Sequence, residues 1–255
     1  MVGRSVPAVV RALDILELFG HREALSIPEI TSLLGLPRTT VHELVNTLVQ
    51  RSYLSPVPDH SNRFRLGVEL FHLGSTYAER LDIAREGQAV AAEVAASCGE
   101  TVHVAVLDGT DVVYVAKIDS TASVRMVSAV GRRLPAHCTA VGLRLLASLP
   151  DERLAVLFPL DEKLEGLTRR SITSPRTLRR RLAEIRSDGL AYDNCESNES
   201  VCCVAAAILS TGGEAVAAMS ISVPIVRWND KRGAELASHV RSGADELSRR
   251  LGHRV

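Results

Sequence analysis

Apolar residues return every three or four positions through the first part of the chain. Val9, Leu13, Leu16 and Phe19 make one such stripe, which stops before Gly20 and predicts an amphipathic helix. Ser26-Ile27-Pro28-Glu29 opens a second helix as a capping box, its apolar face being Ile27, Ile30, Leu33 and Leu34. Gly35 supplies a sharp turn, and Pro37 suits the first turn of a third helix, where a missing N–H costs nothing. That helix buries Val41, Leu44, Val45 and Leu48. Its other face presents Arg38, Thr39, Thr40, His42, Glu43, Asn46, Thr47 and Gln50, mostly short side chains with hydrogen-bonding ends, the kind of surface that suits a groove.

Beyond Arg51, Tyr53-Leu54 and Arg63-Phe64-Arg65-Leu66 flank a proline- and polar-rich stretch, which predicts a small hairpin, the wing of a winged helix-turn-helix. Leu66, Leu70, Leu73 and Tyr77, widened by Val68 and Phe71, then form a helical stripe with nothing small to bury against, which predicts pairing with another subunit. From about Asp82 the pattern mixes strands with helices. Hairpins are expected around Asp108-Gly109-Thr110-Asp111 and around Thr211-Gly212-Gly213-Glu214, with a further strand at Val124 to Val130. Helical stripes run through Val90, Val94 and Cys98, through Leu178, Leu182 and Ile185 up to Gly189, and through Leu236, Val240, Leu247 and Leu251. Hairpins require antiparallel pairing, so the second half is expected to be an α+β, sensor-like domain and not a parallel nucleotide-binding sheet. The domain boundaries expected from these patterns are 1–66 for the winged helix, 67–82 for a linking and dimerisation helix, and 83–255 for the sensing domain.

At 255 residues the chain is long enough for two unequal cores, and 46% hydrophobic with 24% charged residues describes a globular protein. The longest apolar run, Val201 to Leu209, is too short for a membrane span, and the first residues lack a secretory core, so a cytoplasmic protein without membrane association is expected. Five cysteines without CxxC spacing fit reduced thiols. Net charge is zero, and residues 1–66 carry seven arginines against six acids. That balance excludes a protein that coats nucleic acid non-specifically, but not a specific reader.

Two motif sets in the right order carry a resemblance. Ala24 to Ile30, Gly35-Leu36-Pro37-Arg38-Thr39-Thr40-Val41-His42, Tyr53-Leu54 and Arg65-Leu66-Gly67 resemble the DNA-binding domain of the IclR family of bacterial transcriptional regulators. Leu134 to Gly142, Gly189 to Asp193 with Glu196, Cys203 to Ala206 and Ala218 to Ser222 resemble its effector domain, and coverage runs from about Val9 to Pro224. The resemblance implies a GAF-like effector domain with an antiparallel sheet, a ligand-responsive regulator, operator DNA and a small organic or aromatic acid as partners, and a homodimer or homotetramer. It implies no enzyme, cofactor or metal. Expected DNA contacts are Arg38, Thr39, Thr40, His42, Glu43, Asn46 and Thr47 in the major groove and Arg63 and Arg65 on the wing. Expected effector residues are Ala140, Val141, Asp193, Cys203, Ser220 and Ser222. Independently of the resemblance, Ala218, Ser220 and Ser222 alternate with Met219, Ile221 and Val223, giving that strand one small, polar-capable face and one bulky face.

Three departures from the family pattern stand out. Glu43 occupies a recognition-helix position usually basic, Leu143 replaces a usual lysine, and Ser200 with Ala207 replaces a usual glycine and proline. Two other readings stay open. An enzyme would use Cys138 or Cys203 as nucleophile with His103 or His137 as base, but no catalytic motif accompanies them. A helix-turn-helix scaffold for protein contacts would show no salt-dependent DNA affinity. Adjacent Cys202-Cys203 chelate one ion poorly, and no HExxH frame is present, so a metal site is not expected. The cluster Arg169, Arg170, Arg176 and Arg179 to Arg181 reads as a solvated face.

Overall fold

The computed structural model describes residues 5–58, 60–80, 82–122 and 129–254. They divide into two compact units, Met1–Arg80 and Leu81–Val255.

The first unit runs α1 (Pro7–Glu17), β1 (Leu25–Ser26), α2 (Ile27–Leu34), α3 (Arg38–Gln50), β2 (Leu54–Val57), β3 (His60–Leu66) and α4 (Val68–Arg80). Its core is Ile15, Phe19, Leu25, Ile30, Val41, Val45, Leu48 and Leu54. Each such side chain contributes about 1.5–3 kcal/mol when fully buried, which is what three short helices need to hold together. The stripe expected on α1 holds in its second half, where Phe19 is buried and Leu16 packs against the core, but Val9 is 56% and Leu13 53% exposed, and Ile15, outside the stripe, is buried instead. Periodicity found the helix but not where along it the core begins. Leu33 is likewise turned outward. Gly35 takes the left-handed conformation (φ 62°) that reverses the chain after α2, and Pro37 sits at the N-cap of α3, one step before the first turn expected for it. The wing is a three-stranded antiparallel sheet in the order β1-β3-β2. Its hairpin ladder is longer than expected and includes Pro56, which an edge strand tolerates, at an irregularity in the register.

The second unit runs α5 (Asp82–Cys98), β4 (Thr101–Asp108), β5 (Asp111–Ile118), β6 (Arg133–Pro135), α6 (Ala140–Ala147), α7 (Asp151–Leu157), α8 (Pro175–Asp188), β7 (Leu190–Asn194), β8 (Val201–Leu209), β9 (Ala215–Pro224) and α9 (Asp230–Arg250). The six strands form one sheet in the order β6-β5-β4-β9-β8-β7, antiparallel at every step. Both hairpins expected from sequence are present. The strand expected at Val124 to Val130 falls largely on 124–128, outside the described residues. β6, α7 and β7 were not anticipated: β6 and β7 are short edge strands, and α7 has seven residues, all too brief for a periodic signal. One face of the sheet, with Val102, Val104, Val204, Met219, Ile221 and Val223, packs under α5 and α9. The opposite face, with Ala105, Tyr114, Ala191, Cys203, Ala205 and Ala218, packs under α6 and α8. β9 is thus buried on both sides, its bulky residues in one core and its small ones in the other.

The second core is anchored by a close backbone approach. A 3-10 turn at Ala136–Cys138 leads into α6, whose N-cap Thr139 accepts a hydrogen bond from Gly142 N–H at 3.1 Å. A Cβ at Gly142 would lie 2.2 Å from the Ala136 carbonyl oxygen and 2.4 Å from its Cα, so only glycine lets the turn press against the helix. Gly142→Ala is expected to destabilise the second unit by at least about 2 kcal/mol. The check is urea unfolding followed through Trp228, the sole tryptophan, which lies in that unit.

Candidate DNA-binding and effector sites

In the first unit, α3 buries Val41, Val45 and Leu48 and thereby turns its opposite face outward. Arg38, Thr39, His42, Glu43, Asn46 and Thr47 are exposed there, and Thr40 is half-buried at the edge. Two contacts order this face: His42 Nδ1 lies 3.1 Å from Asn46 Nδ2, and the Thr47 hydroxyl donates to the Glu43 carbonyl at 2.8 Å. Glu43 is exposed on this face and forms no ion pair among the described residues. The two wing arginines differ. Arg65 is exposed and donates to Ser55 Oγ at 3.4 Å. Arg63 donates to the Ala24 carbonyl at 2.9 Å and to Glu29 Oε1 at 3.0 Å. Glu29 Oε2 in turn accepts from the Ser26 N–H at 2.7 Å and from its hydroxyl at 2.6 Å. The hydrogen bonds from Ser26, then the Arg63 charge, hold the Glu29 carboxyl below its ordinary range. The capping box read from sequence is therefore also the clamp that ties β3 to the start of α2.

In the second unit, the expected effector residues converge. Asp193, Cys203 and Ser222 stand side by side on β7, β8 and β9, and Ser220 pairs with His103 of β4 one step along. All are buried, Asp193 completely. Ala140 and Val141, in the first turn of α6, are buried in the core that covers this face. Asp193 Oδ1 accepts from the N–H groups of Glu196 at 2.6 Å and Ser197 at 3.3 Å, and Oδ2 accepts from the Ser197 hydroxyl. Burial raises the Asp193 pKa, with those hydrogen bonds opposing the rise. The Cys203 thiol donates to Ser222 Oγ at 3.2 Å, and Ser222 Oγ lies 3.3 Å from His103 Nδ1. Tyr114 of β5 stacks at a tilt on His103, centroids 4.8 Å apart. Burial lowers His103 to about 4, with nearby Lys117 adding to the effect and Asp119 opposing it. The imidazole is therefore neutral near pH 7 and able to accept from Ser222.

A family model described as "Bacterial transcriptional regulator IclR C-terminal" matches residues 75–249, and one described as "IclR helix-turn-helix domain" matches residues 8–58. The chain belongs to the IclR family. It is 33% identical over 254 residues to the HTH-type transcriptional regulator XynR of Escherichia coli K12, covering 97% of this chain and 98% of that one. It is 30% identical over 252 residues to the transcriptional repressor IclR of the same organism, covering 97% and 91%. Among solved structures, the Thermotoga maritima IclR superposes with a TM-score of 0.78 at 28% identity, covering 97% of this chain and 99% of that one. An IclR homologue from Microbacterium hydrocarbonoxydans, solved with 4-hydroxybenzoate, superposes with a TM-score of 0.82 at 25% identity, covering 96% and 98%. The chain is thus a transcriptional regulator with a helix-turn-helix DNA-binding domain and a C-terminal ligand-binding domain.

Several residues of this IclR-family site escaped the sequence reading in its role. Tyr114 and Ser197 were not singled out, and His103 appeared only as a base for a rival enzyme; the alternation of β4 and β5 would have put His103 and Tyr114 on the small-residue face once the strand order was known. The nucleophile reading finds little support in the geometry. Burial pushes up both the Cys138 and the Cys203 thiols, so each is held protonated, and His137 Nε2 is engaged with the Glu165 carbonyl at 2.9 Å. Among the described residues no group of three or more His, Cys, Asp or Glu is placed to hold a metal ion, and no helix is long and apolar enough to cross a membrane. Leu143 is fully buried in the core under α6 and α8, so the position of the family's lysine is here a packing position.

The neutral His103 makes stability pH-dependent. Its unfolded value is near 6.5 and its folded value about 4, so the unfolded chain takes up the proton first and stability falls as pH drops through that window, flattening below it. The loss is expected to be on the order of 3 kcal/mol. Urea unfolding of the wild type and of His103→Gln side by side from pH 7 to pH 4 isolates it, because Glu196, raised to about 7 by burial and then by Asp193, shifts stability the opposite way over the same window and does so in both proteins.

Proposed function

We propose that the chain is a cytoplasmic, homodimeric or homotetrameric regulator, without catalytic activity of its own, that binds a two-fold operator and responds to a small organic or aromatic acid. The observation that carries this reading is the buried row Asp193, Cys203, Ser222 and His103, lying on a sheet face that also carries Ala105, Ala191, Ala205 and Ala218. Small side chains leave room for a ligand, and the polar atoms are directional. In this reading a hydroxyl of the effector donates to Asp193, Ser220 and Ser222 orient it, and its carboxylate takes N–H groups at the start of α6 near Ala140 and Val141, where a helix has no internal acceptor. The relative solved with 4-hydroxybenzoate supports an acid that carries a hydroxyl.

On the DNA side, Arg38, Thr39, Thr40, His42, Glu43, Asn46 and Thr47 form the major-groove face, and Arg65 meets a phosphate. Arg63, read from sequence as a wing contact, is better assigned to holding the wing on α2 through Ala24 and Glu29. A second copy of the chain covers the outward apolar residues of α4, where Val68 is 71%, Phe71 76% and Leu73 51% exposed. The side chain of Tyr77, part of the same expected stripe, lies outside the described residues.

Calorimetric titration with a panel of small aliphatic and hydroxyaromatic acids tests the effector side. One class is expected to bind, and Ser222→Ala to weaken it about tenfold, the worth of roughly one hydrogen bond. No heat from any acid would remove this account of the row. On the DNA side, Arg65→Ala should weaken all sequences alike and reduce the salt dependence by about one phosphate contact, whereas Glu43→Gln should change the preference at one base pair by about 1–3 kcal/mol. Site selection on random duplex pools, repeated at several salt concentrations, separates the two behaviours.

A further inference from the structure

Cys195 and Cys202 bring their sulfur atoms to 3.8 Å, in van der Waals contact, and both are buried. Cys195 is the first residue beyond β7, held in the left-handed region at φ 66°, an uncommon conformation for a residue with a side chain. Cys202 lies on β8 opposite Asn194, the last residue of β7. The remaining cysteines face elsewhere: Cys203 turns to Ser222 on the other side of the strand, Cys138 approaches the Glu165 carbonyl, and Cys98 belongs to the core under α5 and α9. One sulfur pair is therefore set apart from five free thiols.

We propose that Cys195 and Cys202 are a dithiol modification site that closes to a disulfide on exposure to hydrogen peroxide. One thiol attacks a peroxide oxygen, the O–O bond breaks, and a sulfenic acid and water result. The second sulfur then displaces the sulfenic hydroxyl, an S–S bond forms, and the hydroxyl leaves with the thiol proton as a second water. Two thiols lose two electrons and the peroxide gains them. Burial, with the Cys195 thiol and Asp193 close by, pushes Cys202 up to about 12, and closure relies on the contact between the sulfurs. A disulfide needs about 2.0 Å between sulfurs, so closing it draws the two strand ends together by less than 2 Å.

The connection enclosed by this pair holds the buried carboxylate. Glu196 and Ser197 supply the N–H groups on Asp193, while the Cys195 and Glu196 carbonyls are fixed by the hydroxyls of Thr168 at 2.8 Å and Ser171 at 2.6 Å. The disulfide therefore acts on the turn that fixes Asp193, whatever the protein binds.

The test treats the reduced full-length chain with hydrogen peroxide, blocks remaining thiols and cleaves after glutamate. Glu196 and Glu199 lie between the two cysteines, so the bridge appears as two peptides joined until dithiothreitol is added. The expected result is a fall from five free thiols to three, a bridge that persists in Cys203→Ala, and none in Cys195→Ser or Cys202→Ser. Amide exchange at Glu196 and Ser197 is expected to shift at least tenfold in the bridged protein. Five thiols surviving peroxide that oxidises glutathione under the same conditions would overturn the proposal, as would a bridge through Cys203. A bridge that leaves those two amides unchanged would overturn its action on the Asp193 turn. None of these readouts depends on DNA or effector binding, so their failure leaves the regulator reading standing.

Discussion

A carboxylate with no solvent exposure has to be hydrogen-bonded or protonated, and the effector domain is arranged around that requirement at Asp193. The turn after β7 folds back so that two N–H groups and a hydroxyl reach it, and the row continues across β8 and β9 through Cys203 and Ser222 to His103. Polar atoms placed on adjacent strands fix the register, since a slip of one residue would move them into the apolar core under α5 and α9. Ala105, Ala191, Ala205 and Ala218 lie on the same sheet face, and Gly142 lets α6 pack closely over it. In the proposed reading, ligand selectivity and specification of the fold rest on the same atoms.

The DNA-binding unit solves the opposite problem with little charge. Residues 1–66 carry almost balanced charge, so affinity has to come from placement and not from a general field. α3 is placed by three buried residues, and the wing is placed by Arg63 on Glu29 and on the Ala24 carbonyl. Arg63 is engaged internally, so in the proposed reading fewer arginines are left for phosphate and more weight falls on the outward face of α3. Glu43 is exposed on that face, and under the proposed groove contact its carboxylate would oppose the phosphate field and favour a base-edge donor.

Much of this was legible in the residues. The capping box at Ser26 to Glu29, the turn at Gly35 and the stripe of α3 reported local geometry, which sequence encodes directly. The alternation on β9 reported a two-faced strand, and it holds. What periodicity could not encode was where along α1 the core begins: Leu16 and Phe19 meet it as expected, but Val9 and Leu13 face outward and Ile15 is buried instead. The wing arginines looked equivalent in sequence; only the pairing of β3 with β1 brings Arg63 to Ala24 and Glu29. His103 and Tyr114 joined the site through strand order, a tertiary fact invisible along the chain, and the Cys195–Cys202 contact depends on the register of β7 against β8 in the same way.

The central claim is that occupancy of the Asp193 row changes operator affinity. Fluorescence anisotropy of the full-length chain on the duplex upstream of its own gene, with and without the acid that binds, measures it most directly. The account predicts sequence-selective binding whose dissociation constant shifts at least fivefold with the acid, a coupling of about 1 kcal/mol or more, and a shift that in Ser222→Ala needs about tenfold more acid while acid-free DNA binding is unchanged. An operator affinity identical at zero and saturating acid would contradict it.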